Sequence, residues 1–214
     1  MQRSEQSKNH EAYQALKQLI VEQKLSPGQK LICRDLEEIL NMSKTPIING
    51  LTRLEQEGLV VSKRNRGFFM KDVSREEAEQ IYELRERLEM ISMDFAVRNR
   101  TEEDLRVLKE MADLYHEHRP TFYDRRSLEL DTDIHMHMAR MGKNDFFTSM
   151  LRTFFENMYF TLNVIHLTPY IDKFDEEHML LVEAIRDRDL PKAQEVIRTH
   201  IRAARKHFTG ALSA

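Results

Sequence analysis

The apolar positions in the first third of the chain predict a helix, two further short helices and a hairpin. Tyr13, Leu16 and Ile20 recur at helical spacing, and Pro27 and Gly28 then interrupt the pattern. Glycine and proline are concentrated before residue 70, whereas the longer remainder has few of either. The beginning of the chain is therefore expected to be rich in turns, and the rest to be almost continuous helix.

Two short helices joined by a tight turn follow the first helix. Arg34–Leu40 and Lys44–Glu57 have helical patterns, and the link Asn41–Ser43 is three residues long. Ser43 is placed to cap the second helix, and Pro46 falls in its first turn, where the missing N–H costs nothing. Two short helices joined by so tight a turn indicate a helix-turn-helix.

Two short apolar runs come after this helix pair. Leu59–Val61 and Phe68–Met70 flank the basic segment Ser62–Gly67. Strand-forming runs on either side of a turn-forming segment predict a β-hairpin, here with a basic tip. The first 72 residues are therefore expected to fold as a winged helix-turn-helix.

From Ser74 onward the pattern is helical throughout. A capping box at Ser74–Glu77 precedes one apolar stripe that consists of Ile81, Leu84, Leu88, Ile91 and Phe95. Further helices are predicted to start at Thr101 and to span Ser127–Met141, Asp145–Leu167, Tyr170–Arg188 and Leu190–Phe208. About six helices without strand-like alternation indicate an all-α bundle over residues 73–214. The predicted fold class is thus mainly α, with a winged helix-turn-helix before the bundle.

The charge is divided unequally between these two parts. The whole chain has a net charge of −3, but residues 1–72 hold 12 Lys and Arg against 9 Asp and Glu, and residues 73–214 hold 21 against 27. A basic head on an acidic body suits a protein that touches a polyanion at one end only. The chain has no run of eighteen apolar residues, and its single cysteine, Cys33, is expected to be a small buried side chain. These features favour a cytoplasmic protein.

The head carries the residue types that bind DNA. The N-terminal residues of a helix in the major groove reach base edges and phosphates, and a narrow cationic tip approaches the minor groove or phosphates. Lys44 suits a phosphate or a guanine edge, Thr45 a phosphate and Asn49 an adenine, while Arg34 can grip the backbone. The candidate DNA-binding residues are Arg34, Ser43, Lys44, Thr45, Asn49, Lys63, Arg64, Arg66 and Gly67. The alternative for the basic turn alone is an ordinary solvated turn.

The bundle carries a possible metal-ligand set. Asp131 and His135 are four residues apart on one predicted helix, so they project from the same face. His178 and His200 lie at similar distances on either side of a predicted break near Asp189, so an antiparallel helix pair would bring them to a similar height. One Asp and three His suit Zn²⁺, Ni²⁺ or Mn²⁺ better than Ca²⁺. The alternative is coincidental spacing, since the chain has nine histidines.

Several segments of the head match a known pattern. They are Leu25–Gly28, Leu31, Asp35–Leu36, Leu40–Pro46, Leu54–Val60 and Arg64–Gly67. In these segments the chain resembles the GntR family of transcriptional regulators, which implies binding to a double-stranded DNA operator. One segment departs from the family, which usually has Val-Arg-Glu-Ala where this chain has Ile47–Gly50. Because Ile48 replaces an arginine that the family commonly directs at DNA, a different operator sequence or affinity is expected.

The helical part has matching positions of its own. They are Glu83–Arg85, Leu88–Glu89, Asp131, Ile134–His135, Asn144, Glu177–His178, Leu181, Ala184–Ile185, Asp189 and His200. These positions resemble the FCD effector domain of the FadR subfamily. The resemblance implies a divalent transition metal, most simply zinc, on Asp131 and the three histidines, beneath a pocket for a small organic acid. By the same resemblance Arg85 would clamp the carboxylate of that acid, whereas its alternative role is a helix-surface pair with Glu89.

The expected mechanism is a homodimer whose two heads read the half-sites of a near-palindromic operator, with spacing that changes when the acid binds. Whether the acid releases or recruits the protein is left open by the sequence. One alternative is a metal-dependent hydrolase or lyase, which is disfavoured by four protein ligands and the lack of an accompanying base. Another alternative is a regulator in which the ion is purely structural.

Overall fold

The structure of the chain is a computed structural model that describes residues 2–22, 24–118, 120, 124–162 and 173–211. Over these residues the chain is mainly helical with one small sheet, which confirms the predicted fold class. The described residues form two compact units, one made mainly of residues up to Val73 and the other mainly of residues from Ser74 onward. No helix among the described residues is long and apolar enough to cross a membrane.

The first unit contains three helices and three short strands. In chain order these are α1 (Gln2–Val21), β1 (Lys30–Leu31), α2 (Cys33–Leu40), α3 (Lys44–Gln56), β2 (Val60–Lys63) and β3 (Gly67–Met70). The turn between α2 and α3 depends on Asn41, whose backbone is left-handed at φ 50°. Ser43 is the N-cap residue of α3, but its side chain makes no capping hydrogen bond, so the prediction of a side-chain cap there is wrong.

The core of the first unit is formed where α1 packs along α3. Leu16, Ile47 and Leu51 are fully buried in it, and half-buried Cys33 packs against the same cluster. Gly50 lies at the contact between the two helices. A Cβ atom at this position would be 2.8 Å from Leu16 Cδ1 and 3.1 Å from the backbone nitrogen of Tyr13. Gly50 costs α3 about 1 kcal/mol in helix propensity relative to alanine, and the close approach of α1 explains its presence.

The sheet has the order β1-β3-β2, and both pairings are antiparallel. The hairpin of β2 and β3 was predicted, whereas β1 was not, because two residues are too short to give a sequence pattern. The turn at the tip is closed by a hydrogen bond from the Arg66 N–H to the Lys63 carbonyl at 2.8 Å. Asn65 at φ 59° and Gly67 at φ 88° supply the left-handed backbone that this turn requires.

The second unit contains six described helices. They are α4 (Arg75–Asn99), α5 (Glu102–Glu117), α6 (Arg125–Met141), α7 (Asp145–Leu162), α8 (Lys173–Arg186) and α9 (Leu190–Ala211). Ser74 and Thr101 cap α4 and α5 as the sequence predicts. Helix α6 begins two residues before its predicted start because Asp124 accepts a hydrogen bond from the Ser127 N–H. Two predicted helix boundaries, the end of one helix at Leu167 and the start of the next at Tyr170, lie outside the described residues.

The buried face of α4 is not the predicted apolar stripe. Leu84 and Ile91 of that stripe are 49% and 43% exposed, whereas Arg85 and Glu89 are buried. The prediction failed because these two charged residues pair with each other inside the bundle, which hydrophobic periodicity does not anticipate. Helix α4 thus directs charged groups towards α6, where Arg85 contacts Asp131 and Glu89 contacts His135.

Candidate metal centre and nucleic-acid interface

Four side chains from three helices meet in the interior of the bundle. Asp131 and His135 come from α6, His178 from α8 and His200 from α9, and all four are at most 3% exposed. One potential ligand atom from each residue lies within 4.8 Å of the others. The structure therefore brings together the four residues that the sequence predicted as metal ligands.

The nitrogen atoms of the three histidines converge on one carboxylate oxygen. Asp131 Oδ1 is 3.5 Å from His135 Nε2, 3.3 Å from His178 Nε2 and 3.4 Å from His200 Nε2. Donor atoms bound at about 2.0–2.2 Å to one zinc ion are roughly 3.0–3.5 Å apart. The spacing of these atoms therefore fits a shared ion.

Some of these buried polar atoms have no hydrogen bond. Asp131 Oδ1 and both ring nitrogens of His178 have no hydrogen-bond partner among the described residues. An unpaired buried polar atom is costly, and each such atom in a folded protein calls for an explanation such as an ion. One Asp and three His also form the nitrogen and oxygen donor set that zinc accepts. The residues present therefore fit a divalent transition metal.

Two buried glutamates orient the histidines. Glu89 Oε2 accepts a hydrogen bond from His135 Nδ1, and Glu177 Oε2 accepts one from His200 Nδ1 at 3.0 Å. A carboxylate can only accept, so each histidine carries a proton on Nδ1 and directs Nε2 to the centre. The two Nε2 atoms face each other at 3.3 Å. Carboxylate-histidine pairs of this kind are typical of metal centres, where they fix the imidazole orientation.

Sequence reasoning did not assign these roles to Glu89 and Glu177. A signal was nevertheless present, because Glu177 directly precedes His178 and Glu89 is one helical turn after Arg85. Neither spacing identifies the histidine that each glutamate contacts, since both contacts join different helices. Only the packing of α4 against α6 and of α8 against α9 makes them visible.

Arg85 is buried beside the four residues. Its Nε donates to Glu89 Oε1 at 2.6 Å, and its Nη2 donates to Asp131 Oδ2 at 3.3 Å. The predicted alternative of a pair with Glu89 is thus present, but it is buried and not on the helix surface, because the side chain of Arg85 is only 3% exposed. Arg85 thus links Glu89, which contacts His135, to the Asp131 carboxylate.

The buried charges shift the protonation of these groups. Burial lowers the pKa of His135, but the Glu89 and Asp131 carboxylates outweigh this effect and raise it to about 9. Burial lowers the pKa of His178 to about 4. Burial alone would raise the pKa of Asp131, but the neighbouring histidines hold it well below its usual value. Asp131 is therefore ionised and His178 is neutral, as metal ligands must be, whereas His135 is protonated at neutral pH and would release a proton when an ion binds.

The candidate DNA-binding residues of the helix-turn-helix lie on its surface. Ser43, Lys44, Thr45 and Asn49 are exposed on the N-terminal half of α3, whereas Ile48 is half-buried. Arg34 is exposed near the start of α2, where its Nε lies 3.4 Å from Glu38 Oε1. The first turns of α3 thus present a cation, hydroxyls and a carboxamide to solvent.

The wing also exposes its predicted residues. Lys63, Arg64, Arg66 and Gly67 are all exposed at the tip between β2 and β3. Lys63 Nζ lies 4.5 Å from the centre of the Phe69 ring, and the Arg66 guanidinium lies 5.8 Å from it. The aromatic ring therefore supports two of the three cations of the wing.

The chain combines a winged helix-turn-helix with a helical bundle that contains a buried cluster of potential metal ligands. This is the organisation of a DNA-binding regulator that senses a small molecule. The family model described as "Bacterial regulatory proteins, gntR family" matches residues 8–70, and that of the FCD domain matches residues 80–203. The chain therefore belongs to the FCD-domain regulators of the gntR family.

Similarity to individual proteins extends over most of the chain. The Nta operon transcriptional regulator of Aminobacter aminovorans is 24% identical over 182 residues, which cover 85% of this chain and 84% of that protein. The HTH-type transcriptional regulator McbR of Escherichia coli K12 is 33% identical over 87 residues, covering 41% of this chain and 39% of McbR. The solved structure of E. coli McbR/YncC has the same fold, with a TM-score of 0.69 at 20% identity, and the match covers 92% of this chain and 94% of that one.

The matched families and these relatives are transcriptional regulators. The protein is accordingly a DNA-binding transcriptional regulator with an FCD effector-binding domain, and it is not an enzyme. The hydrolase or lyase alternative is set aside on this ground.

Proposed function

We propose that this regulator senses a small organic acid at a metal ion held in its helical bundle. Residues 1–72 bind the operator, and residues 73–214 bind the ion and the effector and form the dimer. The observation that carries the proposal is the convergence of three histidine Nε2 atoms on Asp131 Oδ1, at 3.3–3.5 Å, inside a buried centre. The ion-binding residues are Asp131, His135, His178 and His200.

The ion is a divalent transition metal, with zinc the best match to the ligands and nickel or manganese as further candidates. Glu89 and Glu177 support it by holding His135 and His200 with Nε2 turned inward. When bound, the ion supplies a positive charge to which the carboxylate of an effector can bind. A purely structural ion is the alternative that must be tested.

Arg85 is the candidate effector-binding residue of the protein itself. Its guanidinium already donates to Glu89 and Asp131, so an acid that binds there must share or replace one of these contacts. Such a change would couple the effector to the ligand Asp131 through one side chain. An effector shifts the equilibrium between two arrangements only if it binds one of them better.

A homodimer is part of the proposal. Its support is a row of apolar side chains on α4, in which Leu84 and Ile91 are 49% and 43% exposed and Leu88 between them is half-buried. Exposed apolar rows of this kind are commonly covered by a partner, and two-fold symmetry would pair the row with itself. Two heads in one dimer would read the two half-sites of a near-palindromic operator.

The sensor mechanism predicts that zinc stabilises the full-length protein and that an acid stabilises it further only when zinc is bound. Thermal unfolding is measured with chelator, with zinc, and with zinc plus each of a panel of mono-, di- and tricarboxylates. An acid at about one hundred times its Kd adds about 2.7 kcal/mol, and this increment disappears when chelator replaces zinc. A shift with zinc but with none of the acids would leave a structural ion and contradict the sensor mechanism.

The DNA contacts predict a change in salt dependence. A duplex is first selected from a random library by the full-length protein, and its affinity is then measured across a range of salt concentrations. Lys44→Ala and Arg66→Ala are each expected to weaken binding and to reduce the salt slope by about 1, because each removes one phosphate contact. Lys24→Ala, an exposed cation that pairs with Glu22, serves as the control with no change. Unchanged slope and affinity in both test variants would refute the contact assignment.

A further inference from the structure

The segment Ile47–Gly50 is where the head departs from the family pattern, and helix α1 lies directly against it. Asn49 in this segment donates a hydrogen bond from Nδ2 to Asn9 Oδ1 at 3.1 Å. Asn49 is exposed on the N-terminal half of α3, whereas Asn9 is half-buried on α1. Asn9 of α1 therefore restrains the side chain of Asn49, which is the one carboxamide on the N-terminal half of α3.

Gly50 is the reason that α1 can approach so closely. An alanine Cβ at this position would lie 2.8 Å from Leu16 Cδ1 and 3.1 Å from the Tyr13 nitrogen, so the Leu16 side chain and the α1 backbone at Tyr13 would have to shift. Tyr13 is one helical turn after Asn9 on the same face of α1. On α3, Asn49 makes the hydrogen bond and the next residue, Gly50, permits the close approach of α1.

The hydrogen bond to Asn9 restricts the Asn49 carboxamide but leaves some of its hydrogen-bonding groups available. One of the two N–H groups of Asn49 is engaged by Asn9, which leaves the other N–H and the Oδ1 oxygen for a base edge. An adenine in the major groove offers an acceptor at N7 beside a donor at N6, so it needs this donor and acceptor side by side. The hydrogen bond to Asn9 therefore limits the orientations in which the Asn49 carboxamide can present this pair.

The N-terminal half of α1 also borders the turn of the helix-turn-helix. Lys8 and Glu11 line a cavity of about 330 Å³ together with Asn41, Met42 and Ser43. Helix α1 is therefore close to the DNA-facing end of α3 at a second place. Its residues at this end can influence how α3 meets the groove.

We infer that Asn9 is a positioning residue that sets the orientation of Asn49, so that a preference for adenine at one operator position depends on α1. This inference rests on the proposed contact between Asn49 and a base. The segment Ile47–Gly50 then has a function of its own. Asn49 contacts the base, Gly50 allows α1 to pack closely against α3, and Asn9 orients the Asn49 side chain.

The test uses the duplex selected from a random library by the full-length protein, together with its single-base variants. Affinities of the wild type, Asn9→Ala, Asn49→Ala and the double variant are compared. We expect Asn49→Ala to lose the preference at one position by roughly tenfold, the size of one specific base contact. Asn9→Ala is expected to lose most of the same preference, and the double variant to lose no more than Asn49→Ala does, because the two residues act as one unit.

Two further variants distinguish positioning from a general effect on the head. Asn9→Asp keeps the accepting oxygen, so it retains the base preference while its negative charge lowers the affinity for all duplexes. Gln18→Ala, an exposed change on the same helix, leaves both unchanged. Loss of preference in Asn49→Ala but not in Asn9→Ala would overturn the inference and leave the base contact standing. An unchanged preference in Asn49→Ala would refute the contact itself, and the inference with it.

Discussion

Zinc is expected to raise the thermal midpoint of this protein by roughly 10 °C, and the rise should depend on the buried histidines. Binding at about one thousand times Kd stabilises a folded state by about 4 kcal/mol, and 1 kcal/mol corresponds to about 2–4 °C for a chain of this size. The physical reason is that an ion would pair the orphaned atoms of Asp131 and His178. Calorimetry of the full-length protein in chelator and in excess zinc measures the shift.

A matched pair of histidine variants makes this prediction specific. His178→Ala removes a ligand and should abolish most of the zinc-dependent shift. His137→Ala should keep the full shift, because His137 is outside the cluster and contacts the Asp104 carbonyl at 2.9 Å. Retention of the full shift by His178→Ala would mean that the ion is held elsewhere.

The second large effect is expected from Arg85→Met in the metal-free protein. Arg85 compensates two buried carboxylates, those of Glu89 and Asp131. Removal of one partner from a buried ion pair costs about 3–5 kcal/mol, because the other partner is left as an uncompensated buried charge. Urea unfolding in the presence of chelator measures the loss in the free energy of unfolding.

Two comparisons accompany this variant. Arg87→Ala, an exposed change two residues away on the same helix, should alter stability by no more than about 0.5 kcal/mol. Zinc should restore part of the stability of Arg85→Met, since the ion brings a positive charge to Asp131. If Arg85→Met were as stable as Arg87→Ala without metal, the ion pairs would contribute nothing and the role assigned to Arg85 would be wrong.

Much of the fold could be predicted from local signals. The turn at Asn41–Ser43, the wing around Gly67 and the caps at Ser74 and Thr101 each depend on a few neighbouring residues, and each was located from the sequence. The two-residue strand β1 could not be predicted, because its pairing partner is about forty residues away. The buried face of α4 was predicted wrongly, since partners on other helices pair its inward charges.

Of the residues at the candidate metal centre, some could likewise be predicted from local patterns and others could not. The pair Asp131 and His135 follows from helical geometry, and the meeting of His178 with His200 follows from an antiparallel turn between two helices. Glu89 and Glu177 could not be assigned, because each contacts a histidine on a different helix. The engagement of Arg85 with two carboxylates at once likewise requires the packed bundle.

The charge balance of the buried centre bears on which ions it accepts. Arg85 contributes one positive charge, and Glu89, Asp131 and Glu177 contribute three negative charges, all within groups that are at most 6% exposed. Once His135 has released its second proton to act as a ligand, a divalent ion brings this sum to zero, whereas a monovalent ion leaves a net charge of −1 and a trivalent ion one of +1. Net charge in a dry interior is costly. The bundle would therefore favour a divalent ion by its charge as well as by its donor atoms.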